Sequence, residues 1–372
     1  LVEVGAAVLA TGGAVSNTGI ALHRLGVPVR LLGKVGGDLF GRAILDIVRG
    51  YGAELADGMI VAEGEQSSYT IVINPPGVDR IFLHCPGAND TFSAEDVPEE
   101  ALREAGLFHF GYPPVMRRMY ENGGADLVAL LAAARQAGAT VSLDLARPDP
   151  DSPSGRADWR AILSRTLPHV DLFLPSLEEI LFMLRRDVYD ELSRRAAEAG
   201  GAAADLLAFA DEALLASLAD EMLSMGAAVV VIKLGEYGLY LKTSPSPQRI
   251  AASGFYAPRD AAAWTGRELY APCFQAEVAG TTGAGDCTIA GLLAGWMLGL
   301  APEEALLGAV GVGACNVERP DAVSGIRPWD EVQRRIAGGW AQRAPKLASF
   351  RAEPTPSGAR VWRGSRDVAS GR

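Results

Sequence analysis

The amino-acid sequence predicts a doubly wound α/β fold, in which a mostly parallel central sheet lies between two layers of helices. Two observations predict it. Between Val141 and Ile232, short buried-looking apolar runs alternate with stretches of helical spacing, as in consecutive parallel β-α units. Residues 66–86 differ, because two alternating strands flank a turn signal, which predicts a small β lid beside a three-layer αβα sandwich.

The predicted strands are apolar and short, and several are separated by stretches rich in Ala, Leu and Glu. They are Val29–Leu32, Tyr69–Ile73, Arg80–His84, Leu107–Phe110, Thr140–Leu143, Leu172–Leu174, Val229–Lys233 and Leu239–Lys242.

The lid prediction has two parts. The turn of the hairpin in residues 66–86 is expected at Asn74-Pro-Pro-Gly77. A second lid strand is expected within residues 1–10, where apolar residues are interrupted by Glu3.

The chain is expected to form one α/β domain over residues 1–335. Two segments are interpreted as surface additions: residues 185–215, which are helical in pattern, and residues 243–272, which are irregular in pattern. Residues 342–372 are basic and rich in Pro, Gly and Ser, and we expect a disordered tail there.

Composition excludes several classes of partner. A formal net charge of -11 over 372 residues would repel a polyanion, which argues against binding to nucleic acid. The four cysteines are scattered without metal-ligand spacing, which fits reduced thiols in the cytoplasm. Apolar runs are too short to span a bilayer, and the start lacks a secretory n-region, so we expect no membrane partner.

The most informative segment is A-G-T-T-G-A-G-D, from Ala279 to Asp286, which runs directly into the apolar stretch Cys287 to Leu300. Gly283 and Gly285 permit a tight turn, and the unpaired N–H groups of the following helix start form an anion site. A carboxylate would repel a bound phosphate, so Asp286 is interpreted as the base that deprotonates an attacking hydroxyl. The alternative is that Asp286 only caps the first helical turn.

A second glycine pair, Gly12-Gly13, precedes Asn17 and a predicted helix from Thr18 to Leu25. Paired glycines permit close approach of a ligand, and the Asn17 amide can both donate to and accept from a hydroxyl, which indicates polyol recognition. A turn with Asn17 near the helix start is the alternative. Asp38, in the next glycine-rich turn, is expected to cap a helix rather than to act as a catalyst.

Together these segments resemble one family, the ribokinase-like or PfkB carbohydrate kinases, over about residues 5–335. The matching motifs occur in the family's order: G-G-x-x-x-N at 12–17, G-x-D-x-x-G at 36–41, P-G-A-N at 86–89, L-G-E-Y-G at 234–238 and T-T-G-A-G-D at 281–286.

The resemblance implies a ribokinase-like fold and transfer of the γ-phosphate of ATP to a primary hydroxyl of a sugar. It implies that Asp286 is the base and that the amides of Gly283, Ala284 and Gly285 form the anion hole. It further implies that Gly12, Gly13, Asn17 and Asp38 belong to the sugar-binding side.

For the nucleotide, the resemblance implies a site shaped by Gly235 and Gly238, with Lys233 and Thr281 near the phosphates and Mg²⁺ arriving with ATP. Glu179 matches the glutamate of the family's N-x-x-E element, which organises magnesium, while Ser176 replaces the asparagine. A capping box from Ser176 to Glu179 is a compatible alternative. Asp144 and Arg147 follow a predicted strand and are further candidates for lining the site.

Three departures from the family pattern stand out. The family's opening strand, with its substrate-binding aspartate, has no counterpart before Gly12, so either another segment substitutes or the chain begins late relative to its working form. Gly280 replaces an aspartate, and Asp321 replaces a glycine, both at the family's monovalent-cation site, so potassium activation is not predicted.

Two further functions stay open at this point. The same scaffold accepts nucleosides, so a nucleoside kinase is one alternative, and a ligand-binding relative impaired by loss of the first strand is another. Because exposed lid strands have free edges, we also expect that a homodimer could form through the lid.

Overall fold

The computed structural model describes residues 5–73, 81–200, 203–347 and 349–368. Its strands are β1 Gly33–Gly36, β2 Met59–Ala62, β3 Tyr69–Ile73, β4 Ile81–Cys85, β5 Leu107–Phe110, β6 Thr140–Leu143, β7 Leu172–Phe173, β8 Val229–Lys233, β9 Leu239–Thr243, β10 Glu268–Ala271, β11 Arg351–Pro354 and β12 Arg360–Arg363.

The α-helices of the described residues separate β1 from β2 and each strand from β4 to β7 from the next. They are α1 Gly13–Arg24, α2 Leu39–Tyr51, α3 Glu99–Glu104, α4 Arg117–Tyr120, α5 Ala125–Gln136, α6 Trp159–Thr166, α7 Leu177–Leu184, α8 Arg186–Glu198, α9 Glu212–Ser224, α10 Pro247–Ala251, α11 Ala284–Met297, α12 Pro302–Asn316 and α13 Trp329–Ala337. No helix among the described residues is long and apolar enough to cross a bilayer.

The central sheet has eight strands in the order β11-β12-β10-β9-β8-β7-β6-β5. Strands β5 to β8 pair in parallel, whereas β9 and β12 run against their neighbours, so six of the eight strands point the same way. The predicted mostly parallel sheet is therefore confirmed.

Helices cover both faces of this sheet. Alternate residues of β8 enter different cores, with Val230 and Ile232 on the face packed by α5 to α9, and Val229 and Val231 on the face packed by α1, α2 and α10 to α13. A strand that is buried on both faces has a continuous apolar sequence, and for this reason β8 lacks the alternation of apolar and polar residues that an amphipathic strand shows. The predicted three-layer sandwich follows.

Two small sheets lie apart from the large one. β1 pairs in parallel with β2, and β3 pairs with β4 as an antiparallel hairpin in which Tyr69 faces Cys85 and Ile73 faces Ile81. The predicted hairpin is confirmed, while its expected turn at 74–77 lies outside the described residues. No further strand joins this hairpin among the described residues, and residues 5–9 are irregular and exposed rather than a lid strand. Residues 1–4 lie outside the description.

The strand expected at Val29–Leu32 was placed too early. The ladder begins at Gly33, opposite Met59, while Leu31 is buried against Gly19 of α1. The helix predicted to start at Thr18 instead begins at Gly13, whose φ of 81° and open surroundings suit glycine.

The expectation of a disordered tail over 342–372 was wrong for the described part of that range, 342–347 and 349–368. β12 pairs with β10 and β11 with β12, and Val361 and Trp362 are buried. Arg267 anchors the segment through its ion pair with Asp367. Both strands are short and carry charged residues, which leaves little apolar periodicity in the sequence, so composition alone suggested disorder.

The two expected insertions also needed correction. Residues 243–272 include β10, which pairs with β9 and with β12. This strand is buried on both faces, since Leu269 and Tyr270 enter opposite cores. α8 and the start of α9 lie within 185–215 as predicted, but α8 buries Tyr189 and Leu192 against the core rather than lying wholly on the surface.

Candidate active site

Polar side chains converge at the carboxyl ends of the four parallel strands. Tyr112 follows β5, Asp144 follows β6, Ser176 follows β7, and Lys233 ends β8. Open α/β sheets bind ligands at this edge. The N-termini of α1 and α11 meet the same region, since the two helices pack together and bring Asn17 to Asp286.

The glycine-rich signature forms the turn into α11. Gly283 is the N-cap of this helix with φ of 71°, and an added Cβ would lie 2.7 Å from the Ala322 carbonyl oxygen. Only glycine fits both the left-handed backbone and the close contact. The first-turn N–H groups of α11 have no acceptor within the helix, although that of Ala284 donates to the Thr281 carbonyl at 3.3 Å. The turn is thus shaped to receive an anion.

Asp286 lies in the first turn of α11 and is only 4 % exposed. Asn17 Nδ2 donates to its Oδ2 at 2.8 Å, and the Tyr112 hydroxyl donates to its Oδ1 at 2.7 Å. Each carboxylate oxygen thereby has one protein donor and keeps a second lone pair for another partner. A simple helix cap would direct the carboxylate to its own backbone, and no cap hydrogen bond of that kind is made here.

Burial and the neighbouring polar groups shift the pKa of Asp286 in opposite directions. Burial raises the pKa of its carboxyl, while the hydrogen bonds from Asn17 and Tyr112 and the charge of Lys233 lower it. The net effect is a pKa above the ordinary aspartate value, which makes this group a stronger base than an exposed carboxylate.

Lys233 is the cation of the site. Its Nζ lies 2.6 Å from Asp144 Oδ1, and a Cβ added to Gly285 would lie 3.9 Å from the same ammonium. Burial would lower the pKa of Lys233, but the Asp144 and Glu179 carboxylates raise it overall, so the side chain stays charged. The ammonium therefore lies beside the anion-binding turn and is not a freely solvated strand-end lysine.

Glu179 and Ser176 form the capping box that the sequence suggested. The Ser176 N–H donates to Glu179 Oε2 at 2.6 Å, and the Glu179 N–H donates to Ser176 Oγ at 3.3 Å. Burial raises the pKa of the Glu179 carboxyl, with Lys233 acting in the opposite direction. One carboxylate oxygen of Glu179 is thus committed to the helix start.

Two buried polar atoms near this cluster lack a hydrogen-bond partner among the described residues: Asp144 Oδ2 and His109 Nε2. His109 Nδ1 lies 3.0 Å from Ser142 Oγ, and burial lowers the pKa of His109 to about 3, so the ring is neutral. Because orphaned buried polar atoms are costly, these two atoms mark a place where water or ligand completes the site. Carboxylate oxygens such as Asp144 Oδ2 also fit the ligand preference of Mg²⁺.

The residues expected on the sugar side lie at the start of α1 and α2. A Cβ added to Gly12 or Gly13 would meet nothing within 4 Å, so these glycines leave open space next to the site. Asp38 is confirmed as the N-cap of α2, accepting from the Gly41 N–H at 2.8 Å. Its carboxylate also accepts from the Ser67 N–H and hydroxyl, which ties α2 to the base of the hairpin and lowers the Asp38 pKa.

The residues expected near the nucleotide lie at the end of β8, in the turn between β8 and β9, and in the loop before α11. Gly235 and Gly238 form the turn between β8 and β9, and a Cβ at Gly238 would lie 2.0 Å from the Ala271 carbonyl oxygen. A groove of about 790 Å³ extends from residues 275–279 to Glu318 and Arg319, and Ala279 at its rim begins the signature loop. Arg147, a further candidate for lining the site, donates to the Tyr189 hydroxyl at 2.6 Å.

Gly280 and Asp321, which depart from the family pattern at its monovalent-cation site, have a structural explanation. A Cβ added to Gly280 would lie 2.8 Å from Pro320 Cα, so an aspartate does not fit at that position. Asp321 uses its carboxylate within its own turn, accepting from the N–H groups of Val323 and Ser324 at 3.0 and 2.7 Å.

Sequence reasoning missed Tyr112 and His109. Tyr112 lies in G-Y-P-P directly after a correctly predicted strand, so its position at the carboxyl edge was available as a signal. The sequence carries no signal that Tyr112 contacts Asp286, which lies 174 positions away.

Comparison with known proteins identifies the family. The profile of the pfkB family carbohydrate kinases matches residues 1–329, and the chain therefore belongs to this family. It is 26% identical over 281 residues to an uncharacterized sugar kinase of Archaeoglobus fulgidus, an alignment that covers 76% of this chain and 88% of that protein. It is 29% identical over 193 residues to fructokinase-2 of Oryza sativa subsp. japonica, covering 51% of this chain and 56% of the fructokinase.

Solved structures share the fold. Fructokinase with bound ATP from Xylella fastidiosa superimposes with a TM-score of 0.65 at 20% identity, covering 88% of this chain and 90% of that one. Arabidopsis thaliana ribokinase complexed with ribose and ATP superimposes with a TM-score of 0.63 at 18% identity, covering 87% and 86%. The ribokinase-like fold predicted from the motifs is confirmed.

Proposed function

We propose that this protein transfers the γ-phosphoryl group of ATP to a primary hydroxyl of a sugar, with Asp286 as the general base. The observation that supports it best is the placement of a buried carboxylate in the first turn of α11, directly behind the Gly283 turn and beside Lys233. A base and an anion-binding turn on one helix start combine the two elements that phosphoryl transfer to an alcohol needs.

On the acceptor side, Asn17 and Tyr112 hold the two oxygens of Asp286. The sugar hydroxyl donates to a remaining lone pair of this carboxylate and gives up its proton as its oxygen bonds to the γ-phosphorus. The bond between the γ-phosphorus and the bridging oxygen breaks, and ADP leaves. Gly12 and Gly13 leave the space in which the sugar would lie, and Asp38 supports this side through Ser67.

On the phosphate side, the amides of Gly283, Ala284 and Gly285 would stabilise the negative charge of the transferred group, each by a few kcal/mol. Lys233, held by Asp144, adds a full positive charge at the same place. Thr281 and the turn from Gly235 to Gly238 would border the nucleotide, whose base end fits the adjacent groove.

Mg²⁺, bound with the nucleotide, would neutralise phosphate charge, and its oxygen-preferring coordination fits Glu179 and Asp144. Asp144 Oδ2 has no hydrogen-bond partner among the described residues, and one oxygen of Glu179 is outside the capping box contact. Gly280 and Asp321 depart from the family's pattern at the monovalent-cation site, so we do not expect activation by potassium.

Two alternatives use the same site. A nucleoside kinase would accept ribose with a base attached, and a binding relative would hold ligands without turnover. The sugar kinase is favoured because sugar kinases are the relatives of this chain, including one of which it covers 88%. The four cysteines are free thiols, which supports the expected cytoplasmic location.

We also propose a homodimer through the lid hairpin. Both of its faces carry half-exposed apolar side chains, among them Ile71, Val72 and Leu83. A two-stranded hairpin with exposed apolar faces is marginally stable alone and is stabilised by a covering surface. Light scattering should show a dimer that Val72→Lys weakens, and a monomer at all concentrations would contradict this proposal.

The decisive experiment is a screen of the purified chain for ADP release with ATP, Mg²⁺ and a panel of sugars and nucleosides. Asp286→Asn should lower turnover by about a thousandfold or more and leave ATP binding largely intact. Asp330→Asn makes the same chemical change at an exposed position on α13 and should leave turnover unchanged.

The outcomes separate the candidates. ADP release with sugars alone supports the sugar kinase, and release with nucleosides alone supports the nucleoside kinase. Thermal stabilisation by a ligand without any ADP release would favour the binding relative. Undiminished turnover in Asp286→Asn would remove Asp286 as the base.

A further inference from the structure

Tyr112 has an unusual backbone at the edge of the active site. Its φ and ψ of 64° and 40° lie in the left-handed region, which residues with a Cβ rarely adopt. Such conformations persist where the surroundings impose them, and they concentrate at functional sites.

The chain on both sides of Tyr112 imposes this conformation. A Cβ added to Gly111 would lie 2.3 Å from Ala14 Cβ, so the end of β5 is packed directly against α1. Pro113 and Pro114 follow as a buried turn with restricted backbone angles. The tyrosine ring is therefore aimed across the site by backbone that has little freedom to move.

The ring ends at the proposed base. The Tyr112 hydroxyl lies 2.7 Å from Asp286 Oδ1, while Asn17 occupies Oδ2 from the opposite side. A hydrogen bond to an ionised carboxylate is shorter and stronger than one between neutral groups. Two donors on different elements, one for each oxygen, define the orientation of the carboxylate plane.

The charged groups around this pair come from the other strand ends. Asp286 faces Lys233 of β8, and Tyr112 faces Asp286, Asp144 after β6 and Glu179 of α7. Burial, and then these carboxylates, raise the pKa of Tyr112 far above its ordinary value. The phenol thus stays neutral and remains a donor at every pH at which the enzyme would work.

We propose that Tyr112 is a positioning residue for phosphoryl transfer: its hydroxyl fixes one oxygen of Asp286 and favours the ionised carboxylate that accepts the proton of the acceptor alcohol. This inference rests on the proposed function of Asp286. The proton passes from the alcohol to Asp286, and Tyr112 keeps its own proton throughout. The tyrosine supplies an orientation that Asn17 alone, with one contact, does not.

The test is Tyr112→Phe in the full chain, which removes one oxygen and keeps the ring. Loss of the donor should lower kcat by about tenfold with the KM for ATP unchanged, and the acidic limb of the kcat/KM profile should move to higher pH. Tyr120→Phe is the matched control, since Tyr120 lies on the nearby α4 with its ring against Trp159. It should change neither quantity.

A second measurement does not depend on turnover. Carboxyl ¹³C NMR, with the Asp286 resonance assigned by comparison with Asp286→Asn, should show a higher Asp286 pKa in Tyr112→Phe than in the unsubstituted protein. An unchanged titration, or an unchanged acidic limb with wild-type kcat, would overturn the proposal. If the unsubstituted chain phosphorylates no acceptor, the proposed function fails, while the NMR titration still decides whether Tyr112 controls Asp286.

Discussion

Lys233 Nζ lies 2.6 Å from Asp144 Oδ1, and this ion pair joins the carboxyl ends of β8 and β6 across the intervening β7. Asp144 is fully buried and Lys233 is nearly so. Buried ion pairs recover little more than their desolvation cost, so a well-packed apolar pair would serve stability equally well. The pair is better explained by its position, where it holds an ammonium beside the glycine-rich turn into α11.

Lys233→Met should therefore destabilise the fold, because it leaves the Asp144 carboxyl buried without its cation. We expect a loss of about 3 kcal/mol in the free energy of unfolding, measured by denaturant titration. The double variant Lys233→Met with Asp144→Asn should recover much of this loss, since the charge on Asp144 is then removed together with that of its partner. A double variant less stable than the single one would contradict this explanation.

The pH dependence of turnover should report Asp286. Its pKa is raised, chiefly by burial, and only the ionised carboxylate can accept a proton. Activity should thus be present above the raised pKa and disappear as the pH falls through it, at a pH higher than an ordinary aspartate would give. The kcat/KM profile measures this limb, with circular dichroism at each pH as the control for unfolding. A limb at or below the ordinary aspartate value would show that another group is titrating.

Asp367→Ala should detach the C-terminal hairpin from the sheet. Asp367 Oδ1 accepts from Arg267 Nε at 2.8 Å and from the Glu268 N–H at 2.8 Å, and Arg267 is buried. Removing the carboxylate leaves both donors short of an acceptor, which should cost about 2 kcal/mol in the free energy of unfolding. Asp330→Ala removes a carboxylate from an exposed i,i+4 pair with Arg334 and should have no measurable effect. Equal stabilities of the two variants would mean that the hairpin is not anchored in this way.

Gly283→Ala should distort the anion-binding turn. The new Cβ would face a φ of 71° and lie 2.7 Å from the Ala322 carbonyl oxygen, which together should cost about 2 kcal/mol of stability. Gly285→Ala is the comparison, since the nearest atoms to its added Cβ are the flexible end of Lys233 at 3.8 Å. Thermal unfolding of the two variants measures the difference. Equal unfolding temperatures for Gly283→Ala and Gly285→Ala would show that the turn tolerates a side chain.

Most of the central sheet could be predicted because its strands are contiguous apolar runs. β5, β6 and β8 have the bounds that the sequence indicated, and both faces of β8 are buried. β11, at the edge of the sheet, and β12 beside it escaped prediction because they are short and carry charged residues. They are stabilised by the pairing of β12 with β10 and by the contact of Asp367 with Arg267. The structure of these two strands depends on β10 and Arg267, which lie far away in the sequence.

Neighbouring residues alone encode the turn into α11 and the position of Asp286 in it. Gly283 and Asp286 are three residues apart, and a left-handed glycine followed by a helix start places the carboxylate next to free N–H groups by local geometry alone. The hydrogen-bond partners of the Asp286 carboxylate depend instead on the assembled fold. Asn17 and Tyr112 reach it from 269 and 174 residues away, and only the packing of α1 and β5 against α11 brings their donors within hydrogen-bond distance. Local backbone chemistry is encoded in neighbouring residues, whereas contacts between distant residues exist only once the two helical layers and the sheet have assembled.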